Sequence, residues 1–374
     1  MADSTPYATI KIEGVDMKSQ VQSIDVEDHD RAIDRAQVVF DSADDVSAIT
    51  REQRKVQINL GWSDQNALIF EGVVMGVKTE ASGNGQSRVT VTAYDLSYKM
   101  KQNQTKDRYF ISGRLSDALK AILADYPGIG EGRIKPDPDP VFTPDKPWGK
   151  ASGKSDWDFI QDAAVVWKAR TFVEVNNNKS QFYFVSEQSL NKGDPMGVLH
   201  YCPGGVGPLL EFEYKRIGSG ASPLSTATVI DPTTGEPVNQ PLPPPADDPP
   251  LVVDPTADAT FVQAAGVMAG SAGRTKDARP QTVVKGLPSD PLRMQQHIQQ
   301  DPTRILGYSG RGTCRGTIML RAKGKVTIKG LPPWAEGDWY VHRVNHIYRR
   351  LVVSDKNDKP VDRSTYESKF FVTR

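Results

Sequence analysis

The chain is poor in cysteine, with only Cys202 and Cys314 among its 374 residues. A disulfide-dense secreted scaffold is therefore excluded, and free thiols in a reducing cytoplasm are the expectation. Nowhere does an apolar run reach the roughly 20 residues that a membrane-spanning helix needs. The opening Met1-Ala2-Asp3-Ser4-Thr5 is polar and has no apolar signal region. The expectation is a protein made and used without classical secretion or membrane insertion. Net charge is also missing: 46 basic residues balance 46 acidic ones. No global field draws the chain onto nucleic acid or an anionic membrane.

Catalytic motifs are just as scarce. Gly128-Ile129-Gly130-Glu131-Gly132 follows a helix pattern rather than a strand and lacks the Gly-Lys-Ser/Thr of a phosphate loop. There is no Gly-x-Ser-x-Gly elbow, and Cys314 has no nearby histidine or aspartate in sequence. The basic C-terminal stretches carry no aromatic pattern for reading nucleic-acid bases.

What is present is β pattern. Lys55-Val56-Gln57-Ile58-Asn59-Leu60-Gly61-Trp62 alternates, placing Val56, Ile58, Leu60 and Trp62 on one face. Leu68–Val77 and Arg88–Ala93 read as strands joined through Ser82-Gly83-Asn84-Gly85. Tyr7–Ile12, Val21–Val26 and Gln37–Asp41 are further strands. Six strands without an intervening helix predict a small barrel or sandwich. Leu115, Ala118, Leu119, Ile122 and Tyr126 then follow a helical period that Pro127-Gly128 stops. A second helix starts at Ser155, an N-cap with Asp158 in the capping-box position, and Trp157, Ile160, Ala164 and Trp167 form its apolar stripe. Phe172–Val175 and Phe182–Val185 predict a hairpin around Asn176-Asn177-Asn178. Nine prolines between Asp231 and Pro255 mark an exposed linker or loop insertion, and Ala257–Ala272 predicts a poorly anchored helix. Strand character returns at Thr317–Leu320, Lys325–Lys329, Trp339–Tyr348 and Ser368–Val372.

Two clusters invite a chemical reading. His342 and His346 sit four apart, but Tyr340, His342, Val344 and His346 alternate as on a strand. That puts the histidines on one face, roughly 13 Å apart, whereas both nitrogens must lie about 2 Å from a shared zinc. No metal site is expected, and His346 is expected to pack or hydrogen-bond. Asp156, Asp158 and Asp162 offer paired carboxylates, with Asp158 and Asp162 one helical turn apart. Acids in a first helical turn are already explained by the cap and the helix dipole. Charge is also distributed unevenly. Residues 1–50 hold 11 acidic and 4 basic residues, net −7, while residues 304–350 hold 10 basic and 2 acidic, net +8. The two segments read as complementary surfaces, between subunits or toward a partner, or as two solvated faces.

The stretch Gly153-Lys154-Ser155-Asp156-Trp157-Asp158-Phe159-Ile160, with the hairpin behind it, resembles an element of phage late control D proteins. The same element occurs in the N-terminal hub part of type VI secretion spike proteins and in T4-like baseplate hubs. Phe70-Glu71-Gly72-Val73-Val74 and Asp95-Leu96-Ser97 are similar to marks of that family's first barrel, and Leu115-Ser116-Asp117-Ala118-Leu119 resembles the helix that follows. Gly337-Asp338-Trp339-Tyr340-Val341-His342-Arg343-Val344-Asn345-His346 resembles its closing strand.

The resemblance implies a mainly β fold with an α/β module. Residues 1–105 would form a first tube-like β-barrel and 106–205 a helix-hairpin module. Residues 206–374 would form a second barrel, interrupted by a Pro-rich insertion at about 231–300. It implies a non-enzymatic baseplate hub of a contractile tail or phage-derived injection particle, without cofactor or metal. Three copies would make a ring that adapts a sixfold tail tube to a threefold spike. DNA or cargo would pass through the channel without sequence-specific binding. Tail tube protein, tape measure protein and baseplate wedge proteins are the implied partners, and the spike tip, absent after Arg374, is expected to be a separate protein. The location would be the virion tail baseplate, assembled in the bacterial host cytoplasm. The alternatives are a cell-wall hydrolase using Asp158 and Asp162 and a tail-associated glycan-binding module.

Overall fold

The computed structural model describes residues 5–17, 21–41, 51–81, 87–204, 207–217, 226–230, 237–241, 307–333, 335–354 and 360–374. The Ser82-Gly83-Asn84-Gly85 turn, most of the Pro-rich segment and the Ala257–Ala272 stretch lie outside the described residues.

The architecture is mainly β with a small helical module, as the sequence predicts. Its first part consists of β1 (Pro6–Ile12), β2 (Val21–His29), β3 (Arg35–Phe40), β4 (Lys55–Trp62), β5 (Asn66–Ala81) and β6 (Ser87–Asp95). Strict alternation builds these strands. Ile24 and Val26, then Ala36, Val38 and Phe40, then Val56, Ile58 and Leu60 all point to one buried side. Each fully buried aliphatic or phenyl side chain there contributes about 1.5–3 kcal/mol. Gly72 explains why Phe70-Glu71-Gly72 carries a glycine. A Cβ at Gly72 would meet the Tyr94 carbonyl oxygen at 2.1 Å and the Phe70 ring at 2.8 Å.

The module follows, with α1 (Ser97–Gln102), α2 (Leu115–Leu123), β7 (Gly130–Lys135), α3 (Asp156–Val166), β8 (Ala169–Asn176), β9 (Lys179–Ser186) and α4 (Glu187–Lys192). Ser155 caps α3, its Oγ accepting from Asp158 N at 3.0 Å. Trp157, Phe159, Ile160, Ala163 and Ala164 bury in a core shared with residues of α1, α2 and the β8–β9 hairpin. Asn177 and Asn178 both take positive φ, as a two-residue hairpin turn requires.

The last part comprises β10 (Pro195–His200), β11 (Leu209–Ile217), β12 (Gly307–Arg315), β13 (Lys325–Lys329), β14 (Gly337–Arg349) and β15 (Thr365–Thr373). It packs around Trp339, Val341, Val344, Phe370 and Val372. The two sets of strands share one curled sheet of 13 strands, ordered β11-β12-β15-β14-β2-β3-β6-β5-β4-β1 and ending in the short Val15–Asp16 strand. β13 pairs the start of β14, and β10 pairs β13. The join is β14 against β2, where Arg343–Arg349 runs antiparallel to Ser23–His29.

Two strand expectations change. Thr317–Leu320 is not a strand: Gly316 N donates to Tyr366 O and Thr317 N to Ser368 Oγ, and the chain turns there. A short apolar run does not distinguish a strand from a buried turn. The β14 ladder also slips by one residue, with Val341 opposite Val372 but Arg343 opposite Phe371. His342 is the extra residue of this bulge, which reverses the alternation after it. His342 and His346 consequently lie on opposite faces of the sheet, not on one face.

Candidate functional site

The seam between β2 and β14 carries a dense set of buried charges. Along β2 the alternation that buries Ile24 and Val26 also turns Asp28 inward, leaving it 2% exposed. Its carboxylate meets the turn between β12 and β13. Lys323 Nζ donates to Asp28 Oδ1 at 2.5 Å and to Asp34 Oδ2 at 3.0 Å, and Ala322 N donates to Asp28 Oδ2 at 3.0 Å. Arg321 Nε lies 3.1 Å from Asp28 Oδ2 and 3.2 Å from Glu174 Oε1 on β8. Lys323 also sits over the Phe172 ring, 5.0 Å from its centroid. Asp34 and Asp95 are linked reciprocally: Asp34 N donates to Asp95 Oδ2 at 2.7 Å, and Asp95 N to Asp34 O at 3.0 Å.

The cluster continues along the seam at Asp30, which is also buried. His342 lies between Asp30 Oδ2 at 3.0 Å and Thr373 Oγ1 at 2.7 Å. A carboxylate only accepts, so Nδ1 is the donating nitrogen toward Asp30. Arg170 Nε approaches Asp30 Oδ2 at 3.6 Å, and Arg170 Nη2 bonds Glu187 Oε1 at 2.9 Å. The three parts of the chain are thus tied together through charge.

These surroundings separate the acids. Burial pushes the Asp28 carboxyl up, but Lys323 and Arg321 outweigh it and hold the group well below the usual range. At Asp34 burial, with repulsion from Asp28 and Asp95, overcomes Lys323 and holds the carboxyl well above that range. Burial likewise raises Asp95 to about 6. His346, on the opposite face from His342, hydrogen-bonds through Nδ1 with Ser368 Oγ and Tyr366 Oη. Burial, then Arg321, lowers its pKa to about 4.

His346 gives a testable pH dependence. Its folded pKa lies below the unfolded value of 6.5. The neutral ring therefore stabilises fully above pH 6.5, and that stability is lost as pH falls toward 4. Relative to His346→Phe, the natural chain should lose about 2 kcal/mol between pH 6.5 and 4.5. Chemical denaturation of both proteins at the two pH values checks this, and parallel curves would contradict it.

The charge asymmetry also finds its partner. Asp28 and Asp34 meet Arg321 and Lys323, while Glu27 pairs with Arg343 at 3.5 Å. The acidic N-terminal segment and the basic C-terminal segment attract each other within one chain.

The three aspartates of α3 separate in role. Asp156 is fully buried and accepts from Arg108 Nε at 3.2 Å, Arg108 Nη2 at 2.6 Å and Tyr126 Oη at 2.5 Å. Lys150 Nζ lies 3.2 Å from it. Burial raises its carboxyl, and these partners bring it below the usual value. Asp158 pairs with Lys101 and Ser155, which outweigh burial and lower its carboxyl. Asp162 is exposed and pairs with Lys154. The geometry does not prepare Asp158 as a proton donor, because a general acid needs a raised pKa. Among the described residues no group of three or more His, Cys, Asp or Glu is gathered as a metal site. Cys202 and Cys314 are free thiols, and burial pushes Cys314 up to about 12. No helix among the described residues is long and apolar enough to cross a membrane.

The motif readings reached Ser155, Asp156, Gly72 and Asp95 but missed Asp28, Asp34 and Lys323 as a network. One signal was available: an aspartate at an inward position of β2.

Comparison with known proteins defines the fold class. The structure is similar to a tail protein from Neisseria meningitidis, with a TM-score of 0.64 and 11% identity over 99% of this chain and 97% of that one. It is similar to a 43 kDa tail protein of prophage MuSo2 from Shewanella oneidensis, at 0.63 and 10%, over 98% of both chains. A type VI secretion component of E. coli, described as similar to T4 tail proteins, matches at 0.50 and 10%, over 97% of this chain and 76% of that one. The chain therefore has the fold of phage tail proteins. In sequence, a family model described as the Alg8 N-terminal domain matches residues 2–181, just under half of the chain. No curated protein matches the sequence.

Proposed function

We propose that this chain is a structural baseplate hub of a contractile tail or phage-derived injection particle. The observation that carries the reading is the likeness to two tail proteins over nearly the whole length of each chain. A second observation supports self-assembly. Among the described residues the sheet ends at β11 on one side, at Val15–Asp16 on the other and, on its branch, at β10, and such edges are templates for pairing with another copy. Three copies closing through these edges would form the ring. A sixfold tail tube would stack on one side of it and a spike on the other, with a channel between. Asp28, Asp34 and Glu27 are paired with Arg321, Lys323 and Arg343 inside the chain, and the remaining opposite charges of the two segments would add attraction between copies.

The test is the oligomeric state in solution together with a low-resolution image of the particle. A threefold ring with six similar lobes is expected. A compact monomer in the assembled particle would overturn the hub.

A further inference from the structure

The cluster on the β2–β14 seam contains more buried acid than base. Four carboxyl groups, Asp28, Asp34, Asp95 and Glu174, surround two cations, Lys323 and Arg321. Asp28 takes the larger share of both cations, being 2.5 Å from Lys323 Nζ and 3.1 Å from Arg321 Nε. Asp34 shares Lys323 with it. Asp95 is reached by backbone donors, Asp34 N at 2.7 Å and Ser97 N at 2.6 Å. The neighbouring groups do not correct the imbalance. Arg170 and His342 face Asp30 and Glu187, and Glu27 is taken by Arg35 and Arg343.

The geometry makes this imbalance matter for the seam. Asp28, Asp34 and Asp95 belong to the first part of the sheet, Glu174 to the module, and Arg321 and Lys323 to the last part. Lys323 is held in the left-handed region, φ 69°. Its N–H bonds Val341 O, and Val341 N bonds Gly324 O. That backbone is strained for a lysine, and the ion pairs offset the strain.

We propose that this cluster is a proton-held latch across the seam: it closes tightly while the Asp34–Asp95 pair carries a proton and loosens as that proton leaves. Two cations neutralise two of the four carboxylates, so with one proton on the pair a single negative charge is left over, and losing that proton places a second unpaired charge in a buried site. The direction follows from linkage. Asp95 titrates at about 6 when closed, against an ordinary 3.8. The closed state therefore binds more protons between about pH 4 and 6, and its advantage declines as pH rises through that window. His346 acts in the opposite sense over an overlapping range and has to be cancelled.

The experiment is hydrogen exchange of the β2 and β14 amides in the full chain, corrected for intrinsic rates, for the natural protein and Asp95→Asn at pH 5 and pH 8. His346 contributes equally to both proteins. Seam protection of the natural protein, relative to the variant, should fall about tenfold from pH 5 to pH 8. Protection of the β4–β5 amides should not follow. An unchanged ratio, or a change shared equally by β4 and β5, would overturn the latch. Infrared spectroscopy of the natural protein provides a reading that needs no variant. A protonated-carboxyl band should be present at pH 5.5 and weaken by pH 8, and its absence at pH 5.5 would also overturn the proposal.

Discussion

Replacing Lys323 with methionine should lower the stability of the folded chain by roughly 3–5 kcal/mol, the range for breaking a buried ion pair from one side. The lysine side chain is 1% exposed and its two direct partners are 3% and 8% exposed. Methionine fills much of the same volume and still covers the Phe172 ring, so lost packing is a small part of the effect. What remains is Asp28 beside Asp34 with only Arg321 to face them. A denaturant midpoint at pH 7 measures the loss. Combining Lys323→Met with Asp28→Asn should recover part of it, with a coupling of at least about 1 kcal/mol. A single-variant loss below about 1 kcal/mol, the size expected of a surface pair, would show that the cluster does not hold the seam.

The residues of this cluster also show how far the sequence could be read. The alternation of β4 is local, and it predicted the shared face on which Val56, Ile58 and Leu60 are buried. Asp28 was legible in part, because an acid in phase with Ile24 and Val26 has to be buried and therefore paired. Its partners were not legible, since Arg321 and Lys323 lie almost 300 residues away and nothing local encodes that closure. The opposite charges of the two ends were visible, yet composition alone cannot distinguish attraction within a chain from attraction between copies. The bulge at His342 escaped for a related reason. An inserted residue is defined by the register of the partner strand, and unbroken alternation in one strand does not reveal it. The apolar Thr317–Leu320 run misled because hydrophobicity reports burial, and this turn is buried at Leu320 without being a strand. By contrast, Ser155 was read correctly because a cap is a local bond between residues three apart.

Asp156 separates a structural reading of α3 from a catalytic one. Asp156→Asn should cost about 3–5 kcal/mol, as removing one side of a buried ion pair does. Arg108 and Lys150 are 11% and 1% exposed around it, and an amide offers them one acceptor in place of two. Tyr126 and Asn103 would lose the same acceptor. The loss should concentrate in the module, where hydrogen exchange of α2 and α3 would rise while β4 and β5 stay protected. Asp158→Asn should cost no more than about 1 kcal/mol, because its contact with Lys101 is half exposed and Ser155 still caps the helix. Asp162→Asn, removing an exposed partner of Lys154, should be close to neutral. A hydrolase using Asp158 and Asp162 predicts the reverse emphasis: both Asn variants would fold normally and lose peptidoglycan cleavage. Measuring stability and cleavage on the same three variants decides between the two. A large stability loss confined to Asp156→Asn, with no cleavage in any protein, is the expected outcome, since only Asp156 is placed where charge is out of reach of water.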